Sequence, residues 1–288
     1  GQDGRQNYFL NAGDNVSVTA TFREAVIVDN SSGNPTITLV VGSTNRTATY
    51  ASGDNSTDLV FRYTIQAGDN DTNGISIGAN ALALNSSTIS DRAGNIATDL
   101  THDAVGNNSS YKVDTTPPTV SSVAITSAEG IQNGLLNAGD NVSVTATFSE
   151  TVNVDNSSGN PTLTLVVGST DRTATYASGS GSDDLVFRYT IQSDEIDSNG
   201  ISIGANAIAL NSGTINDVAG NDGTLSHGAV DNNSSYKVDA TSFTVSSFTM
   251  NDTALKLDDN ATVTLVFSEA VILFNSDDDI TADNGTLS

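Results

Sequence analysis

The chain has no cysteine, no tryptophan and a single methionine, and its ten lysines and arginines face 34 aspartates and glutamates. Each shortage excludes something. Without cysteine there are no disulfides and no thiolate metal sites. A secreted eukaryotic domain this rich in loop residues would often carry disulfides, so a bacterial exoprotein is the better fit. Stability must then come from the core, from repetition or from bound ions. The scarcity of basic residues argues against nucleic acid as a partner, because phosphates are neutralised by clustered Lys and Arg. No apolar run approaches the roughly 20 residues needed to cross a bilayer, and no basic-then-apolar leader opens the chain. This segment is therefore not expected to insert into a membrane. Its abrupt ends suggest a piece of a longer protein. The lack of tryptophan weakens a lectin reading, since sugar faces stack best on aromatic rings, although seven tyrosines keep it open.

What is present is acid and repetition. The net charge is −24, and hydrophobic residues make up 36% of the chain, enough for small sandwiches. Two readings of the acidity compete. Surface carboxylates keep proteins apart in a salty medium, or some of them converge on divalent cations, since they recur at fixed loop positions.

Self-similarity is the strongest signal. Asn11–Phe22 (NAGDNVSVTATF) recurs unchanged at Asn137–Phe148, Leu59–Gln66 (LVFRYTIQ) at Leu185–Gln192, Gly74–Ala81 (GISIGANA) at Gly200–Ala207 and Asn107–Asp114 (NNSSYKVD) at Asn232–Asp239. A diverged third copy starts near Thr241, with Phe267-Ser268-Glu269 matching Phe148-Ser149-Glu150. At the other end Gly4, Gln6 and Asn7 align with Gly130, Gln132 and Asn133, so nothing in the first copy corresponds to Pro118–Thr126, which reads as the first strand of the second.

Within each copy the hydrophobic period is two. Val16, Val18, Ala20 and Phe22 face one way, with Ser17, Thr19 and Thr21 opposite, and Leu59, Phe61, Tyr63 and Ile65 behave likewise. Ile37, Leu39 and Val41 make a further strand, and Tyr111 and Val113 close the unit. Short alternating strands between clusters of Gly, Asn, Asp and Ser indicate all-β antiparallel sandwiches, with no convincing helix. The expected units are residues 1–116 (first strand missing), 117–241, and the amino-terminal half of a third over 242–288. Asp114-Thr-Thr-Pro-Pro-Thr119 joins the first two, and paired prolines favour a short, semi-rigid connection.

The VDTTPPTV linker, the GDNVSVTATFSE strand, the D-x-AGN loops (Asp91–Asn95 and Asp217–Asn221) and the closing YKVD together resemble bacterial Ig-like repeats of large secreted adhesins and biofilm proteins. TALKLDDNATVTLVFSEAV in the third copy resembles a sibling subfamily. The resemblance implies tandem Ig-like sandwiches arranged as beads on a rod, in a protein exported to the bacterial cell surface. It implies extender repeats, often with calcium at their junctions.

Strand order suggests which carboxylates could meet. The second strand runs to the end where the chain enters, so its terminal Glu (Glu24, Glu150, Glu269) should sit near the incoming linker and the D-x-AGN loop. Asp114 is thus expected to meet Glu150 and Asp217 across the first junction. Asp239 with Glu269 forms an incomplete set at the second, and Glu24 with Asp91 marks the corresponding face of the first copy. Three close carboxylates repel unless a cation compensates, and Ca²⁺, which takes six to eight oxygens, is the expected ion. A second candidate is the loop carrying Asp69 and Asp71, or Glu195 and Asp197, whose spacing before Asn-Gly resembles the opening of an EF-hand without its closing Glu. Asx-rich turns explain the same residues without an ion.

Catalysis is not expected. His102 and His227 occupy corresponding loop positions and read as surface residues, with no nucleophile elbow around any serine. Asn-x-Ser/Thr at Asn15, Asn30, Asn55, Asn108 and Asn233 follows from composition. The leading expectation is a non-catalytic stalk whose partners are neighbouring repeats. The alternatives are an assembly module that pairs with other copies of itself by strand donation through Phe243–Met250, and a glycan- or protein-binding module.

Overall fold

The computed structural model describes Tyr8 to Val271 together with Phe274 and Ile280. Gly4, Gln6 and Asn7, and the ends of the units expected at 1–116 and 242–288, lie outside the described residues. The described residues form strands and turns and no helix.

The first unit contains β1 (Phe9–Leu10), β2 (Asn15–Asp29), β3 (Thr36–Val41), β4 (Thr44–Ser52), β5 (Ser56–Thr64), β6 (Asn70–Asp71), β7 (Ser76–Ala83), β8 (Thr88–Asp91) and β9 (Lys112–Asp114). One sheet has the order β7-β3-β4-β5-β2-β8 and a smaller one β1-β9-β6. Pairing is antiparallel except between β1 and β9, where the chain's entry and exit run side by side. The alternation read from sequence is what buries one face. In β3 the apolar Ile37, Leu39 and Val41 are buried between half-exposed neighbours, and they meet Leu59, Phe61, Val113 and Leu10 in one core.

β2 is much longer than the usual five or six residues because it serves two partners. Asn15 to Thr21 pair with β5, a register break follows, and Val26 to Asp29 pair with β8. Such irregularities bend a strand and raise its twist, which lets one strand turn a corner of the sandwich.

The second unit repeats this plan with β10 (Val120–Glu129), β11 (Leu135–Leu136), β12 (Asn141–Asp155), β13 (Thr162–Val167), β14 (Thr170–Ser178), β15 (Ser182–Thr190), β16 (Ile196–Asp197), β17 (Ile208–Ala209), β18 (Thr214–Asn216) and β19 (Lys237–Asp239). It has its own core around Phe187, Leu165, Leu185 and Val144. Its main sheet runs β10-β12-β15-β14-β13-β17, so β12 carries a strand, β10, that has no counterpart beside β2 among the described residues. That strand enters through a clasp. The Thr119 amide donates to Ser149 Oγ (3.0 Å) and the Ser149 amide to the Thr119 carbonyl (2.8 Å).

The third segment supplies β20 (Val245–Met250) and β21 (Val263–Phe267). They pair with the same irregularity as β10 and β12, Val245 opposite Phe267 as Val120 lies opposite Phe148. Thr244 and Ser268 repeat the clasp.

Candidate metal centre at the junction of two sandwiches

Asp114 is the last residue of β9 and is followed directly by the linker. Glu150 lies within β12, two residues beyond Phe148, and Asp217 opens the loop after β18. Carboxylate oxygens of these three acids lie within 4.8 Å of one another, one from the first unit and two from the second.

The D-x-AGN loop is held in shape by its own first residue. Asp217 Oδ1 accepts from the amides of Ala219 (2.8 Å) and Asn221 (2.9 Å), and Oδ2 from the Asn221 side chain (2.8 Å). This Asx-type turn buries Asp217 almost completely, at 3% exposure. The Asn221 amide nitrogen also donates to the main-chain carbonyl of Asp114 (3.0 Å), and Asn11 of the first unit donates to the Ala219 carbonyl (3.3 Å). The loop therefore grips the exit end of the preceding sandwich and holds the acids in register.

Charge is left uncompensated at this point. The described ion pairs are Arg46 with Asp69 and Arg172 with Glu195, and neither touches the cluster. Burial raises the Glu150 carboxyl above its ordinary value, and the charges of Asp114 and Asp217 add to the effect. The donor set is all oxygen, with no imidazole or thiolate, which selects a hard cation over zinc or copper. Ligand oxygens around one calcium, with bonds of about 2.4 Å, lie up to about 5 Å apart, which the cluster satisfies. Carbonyls and water would have to supply the remaining ligands.

The analogous acids are not gathered in the same way. Glu24 is exposed, and Asp91 makes the same loop bonds as Asp217, to the Ala93 and Asn95 amides and the Asn95 side chain. Those bonds, the Asn95 side chain foremost, hold the Asp91 carboxyl below its ordinary value. Asp239 accepts from the Thr241 hydroxyl (2.6 Å), and Glu269 is exposed. Among the described residues no third acid joins either pair.

The acids of the second candidate loop accept from donors within their own unit. Asp69, 2% exposed, accepts from the Tyr63 hydroxyl (2.5 Å), the Gln66 amide (3.0 Å) and Arg46 (2.6 Å). Glu195 holds Tyr189, Gln192 and Arg172 in the same way. Burial alone would raise the Asp69 carboxyl, but Tyr63, the Gln66 amide and Arg46 outweigh it and hold it below its ordinary value. Burial first, and the bond to Asp69 second, push the Tyr63 phenol up to about 12.

Asp71 accepts from the amides of Gly42 and Gly74 (2.8 and 2.7 Å), and Asp197 from those of Gly168 and Gly200 at the same distances. Gly42 must be glycine twice over. Its φ is +60° in a two-residue hairpin, and a Cβ there would meet the Asn70 carbonyl at 2.3 Å. Asp69, Asp71, Glu195 and Asp197 thus spend their lone pairs on a tyrosine, an arginine and hairpin amides. The loop also holds the exit linker, since the Thr115 hydroxyl accepts from the Gly68 amide (2.9 Å) and Asn70 donates to Thr116 (2.8 Å). Its position at the exit end follows the strand order read from sequence.

Asn11, Asn221 and Ser149 escaped the sequence reading. Asn221 lay in plain view at the end of the D-x-AGN loop, but its bond to the preceding unit depends on tertiary contact. The two histidines are staples, each ring Nε2 accepting a main-chain amide, Ala81 for His102 and Ala207 for His227, both at 2.8 Å.

Among the described residues no helix is long and apolar enough to cross a membrane. Neither the curated proteins nor the solved structures contain a match to this chain. Residues 239–288 match the family model of a bacterial Ig-like domain. The described residues are all-β, and the carboxy-terminal stretch is similar to a bacterial Ig-like domain.

Proposed function

We propose that this chain is a stalk segment of a secreted bacterial surface adhesin, in which tandem sandwiches are stiffened against one another by calcium bound between them. The observation that carries this reading is the cluster of Asp114, Glu150 and Asp217, drawn from two units and, among the described residues, joined by no ion pair to a basic side chain. A cation shared across the joint removes their repulsion and ties β9 of one unit to β12 and the D-x-AGN loop of the next. The prolines of the linker already restrict the angles the joint can sample. The near-identity of the copies supports a spacer, whose task depends on length and stiffness.

The test is thermal unfolding and small-angle scattering of the whole chain in EDTA, in millimolar calcium and in millimolar magnesium. A ligand that binds only the folded state stabilises by about 2.7 kcal/mol at a hundredfold excess over Kd. Calcium should raise the melting temperature and lengthen the particle more than magnesium, and Glu150→Gln should remove both effects. Proton competition sets the pH dependence. Because folding raises the Glu150 pKa, the ion-free junction is most stable at acid pH and loses stability as pH rises through that value. Calcium should reverse this trend above it. Overlapping curves in EDTA and calcium would remove the ion from the account and leave the acidity as a solubility feature.

A further inference from the structure

An asparagine followed by glycine is open to attack by its own main chain, because glycine leaves the next amide without a side chain beside it. Among the described residues this pair occurs at Asn73-Gly74, Asn133-Gly134 and Asn199-Gly200. Asn133 and Gly134 form the tip of a hairpin between β10 and β11, with φ of 51° and 79°. Positive φ at both central residues marks a type I′ turn, for which Asn-Gly is a preferred pair. Two bonds close it, the Gln132 amide to the Leu135 carbonyl and the Leu135 amide to the Gln132 carbonyl, both 2.9 Å. Both tip residues are exposed, and a Cβ on Gly134 would meet nothing within 4 Å. Among the described residues the Gly134 amide donates to no acceptor.

The other two pairs are closed against the same attack. The Gly74 amide donates to Asp71 Oδ1 and the Gly200 amide to Asp197 Oδ1, both at 2.7 Å. The glycine nitrogen must lose its hydrogen to become a nucleophile, and a carboxylate bonded to that hydrogen opposes the loss. Both glycines are also buried, each against a carbonyl, of Asn108 or Asn233, that a Cβ would approach to 2.0 Å. Turning either asparagine side chain onto its neighbour means unseating the loop. At Asn133 it means opening two hydrogen bonds at an exposed tip. The first unit reads Asn7-Tyr8 at the corresponding place, so the duplication does not repeat the pair.

We propose that Asn133 is a site of spontaneous modification, converting to isoaspartate and aspartate in the folded protein while Asn73 and Asn199 are protected. The deprotonated Gly134 nitrogen bonds to the Asn133 side-chain carbonyl carbon, and the bond from that carbon to the side-chain nitrogen breaks. Ammonia leaves, taking back the proton the glycine nitrogen gave to solvent, and a five-membered succinimide remains. Water opens the ring at either carbonyl, so one water is consumed, one ammonia is released and nothing is oxidised or reduced. Either product replaces a neutral amide by a carboxylate. Isoaspartate also routes the main chain through the former side chain, one methylene longer, which a two-residue turn does not accommodate. The change falls beside β11, whose Leu136 is fully buried and pairs with Val238.

The experiment incubates the full folded chain in warm, mildly alkaline buffer and follows each asparagine by peptide mapping with isoaspartyl methyltransferase labelling. Cleavage after glutamate isolates Gly130–Glu150, which carries Asn133. The expected result is label accumulating at Asn133. Asn73 and Asn199 should react about ten- to a hundredfold more slowly, the factor that a hydrogen bond to a charged group supplies. In urea, where the protecting contacts are gone, the three should react at similar rates. Asp71→Asn keeps an acceptor but removes the charge, and should speed Asn73 while leaving Asn133 and Asn199 as they were. The proposal is overturned if Asn133 reacts no faster than the other two in the folded chain, or stays intact while the unfolded chain is converted. An Asn73 rate indifferent to Asp71→Asn overturns the protection assigned to the carboxylate.

Discussion

Val18, Ala20 and Phe22 of the first sandwich and Val144, Ala146 and Phe148 of the second are the same residues in the same order on equivalent strands. Val144 and Ala146 have no exposure and Phe148 has 3%, whereas their three counterparts are half-exposed. The difference is one neighbouring strand. Burial of a Val- or Phe-sized side chain is worth about 1.5–3 kcal/mol, so an identical stretch of sequence contributes several kcal/mol more where β10 lies across it. The pair teaches that a strand's contribution to stability belongs to its sheet and cannot be read from the strand alone.

The largest expected effect tests that difference directly. Phe148→Ala should cost about 3–5 kcal/mol, as full truncation of a buried Phe does, and Phe22→Ala clearly less because its ring is already part-exposed. Urea unfolding of both variants, resolved by unit, would break the comparison if the two costs were equal. A control of intermediate size comes from residues whose surroundings do not differ. Asp71→Ala and Asp197→Ala each strand two glycine amides and should each cost about 1–3 kcal/mol, by the same amount in both units. Unequal costs would mean that the units differ by more than a strand.

The clasp predicts a smaller change. Ser149→Ala removes the acceptor for Thr119 and should destabilise the second unit by about 1 kcal/mol. The first unit carries Arg23 at this place, so Arg23→Ala should have no such effect on it; calorimetry of the two transitions measures both. The smallest effect is a titration. Folding depresses the Asp69 carboxyl, so its contribution is present above the unfolded value near 3.8 and is lost as pH falls through the folded one. Folding raises Tyr63 to about 12, so that contribution holds below the ordinary value of 10 and fades as pH rises between the two. Ultraviolet titration should show Tyr63 ionising late, and Asp69→Glu should leave it late, because Glu195 supports Tyr189 in the same network.

Several acids that read alike in the sequence part company in the fold. Asp71 and Asp114 both stand in Asx-rich stretches next to turns, and local pattern treats them equally. Asp71 is consumed by Gly42, which lies far along the chain on a hairpin that packs over it. Asp114 accepts from the Thr116 amide at Oδ1 (3.0 Å), while Glu150 and Asp217 approach from the next unit and offer no donors. The junction set was legible because strand order says which loops share an end. The Asp69 network was not, because its partners Arg46 and Tyr63 come from two different strands whose register is set only by the packed sheet.

By itself the sequence determined the repeat, the all-β class, the inward residues of each long strand and the ends at which the acids cluster. All of these follow from period-two alternation, turn chemistry and duplication, which are local or translational properties. Tertiary structure decided which donors each carboxylate meets and how β2 and β12 divide themselves between partners. Those outcomes depend on which groups arrive from distant parts of the chain, and a hydrogen bond or a buried face exists only when both partners are present.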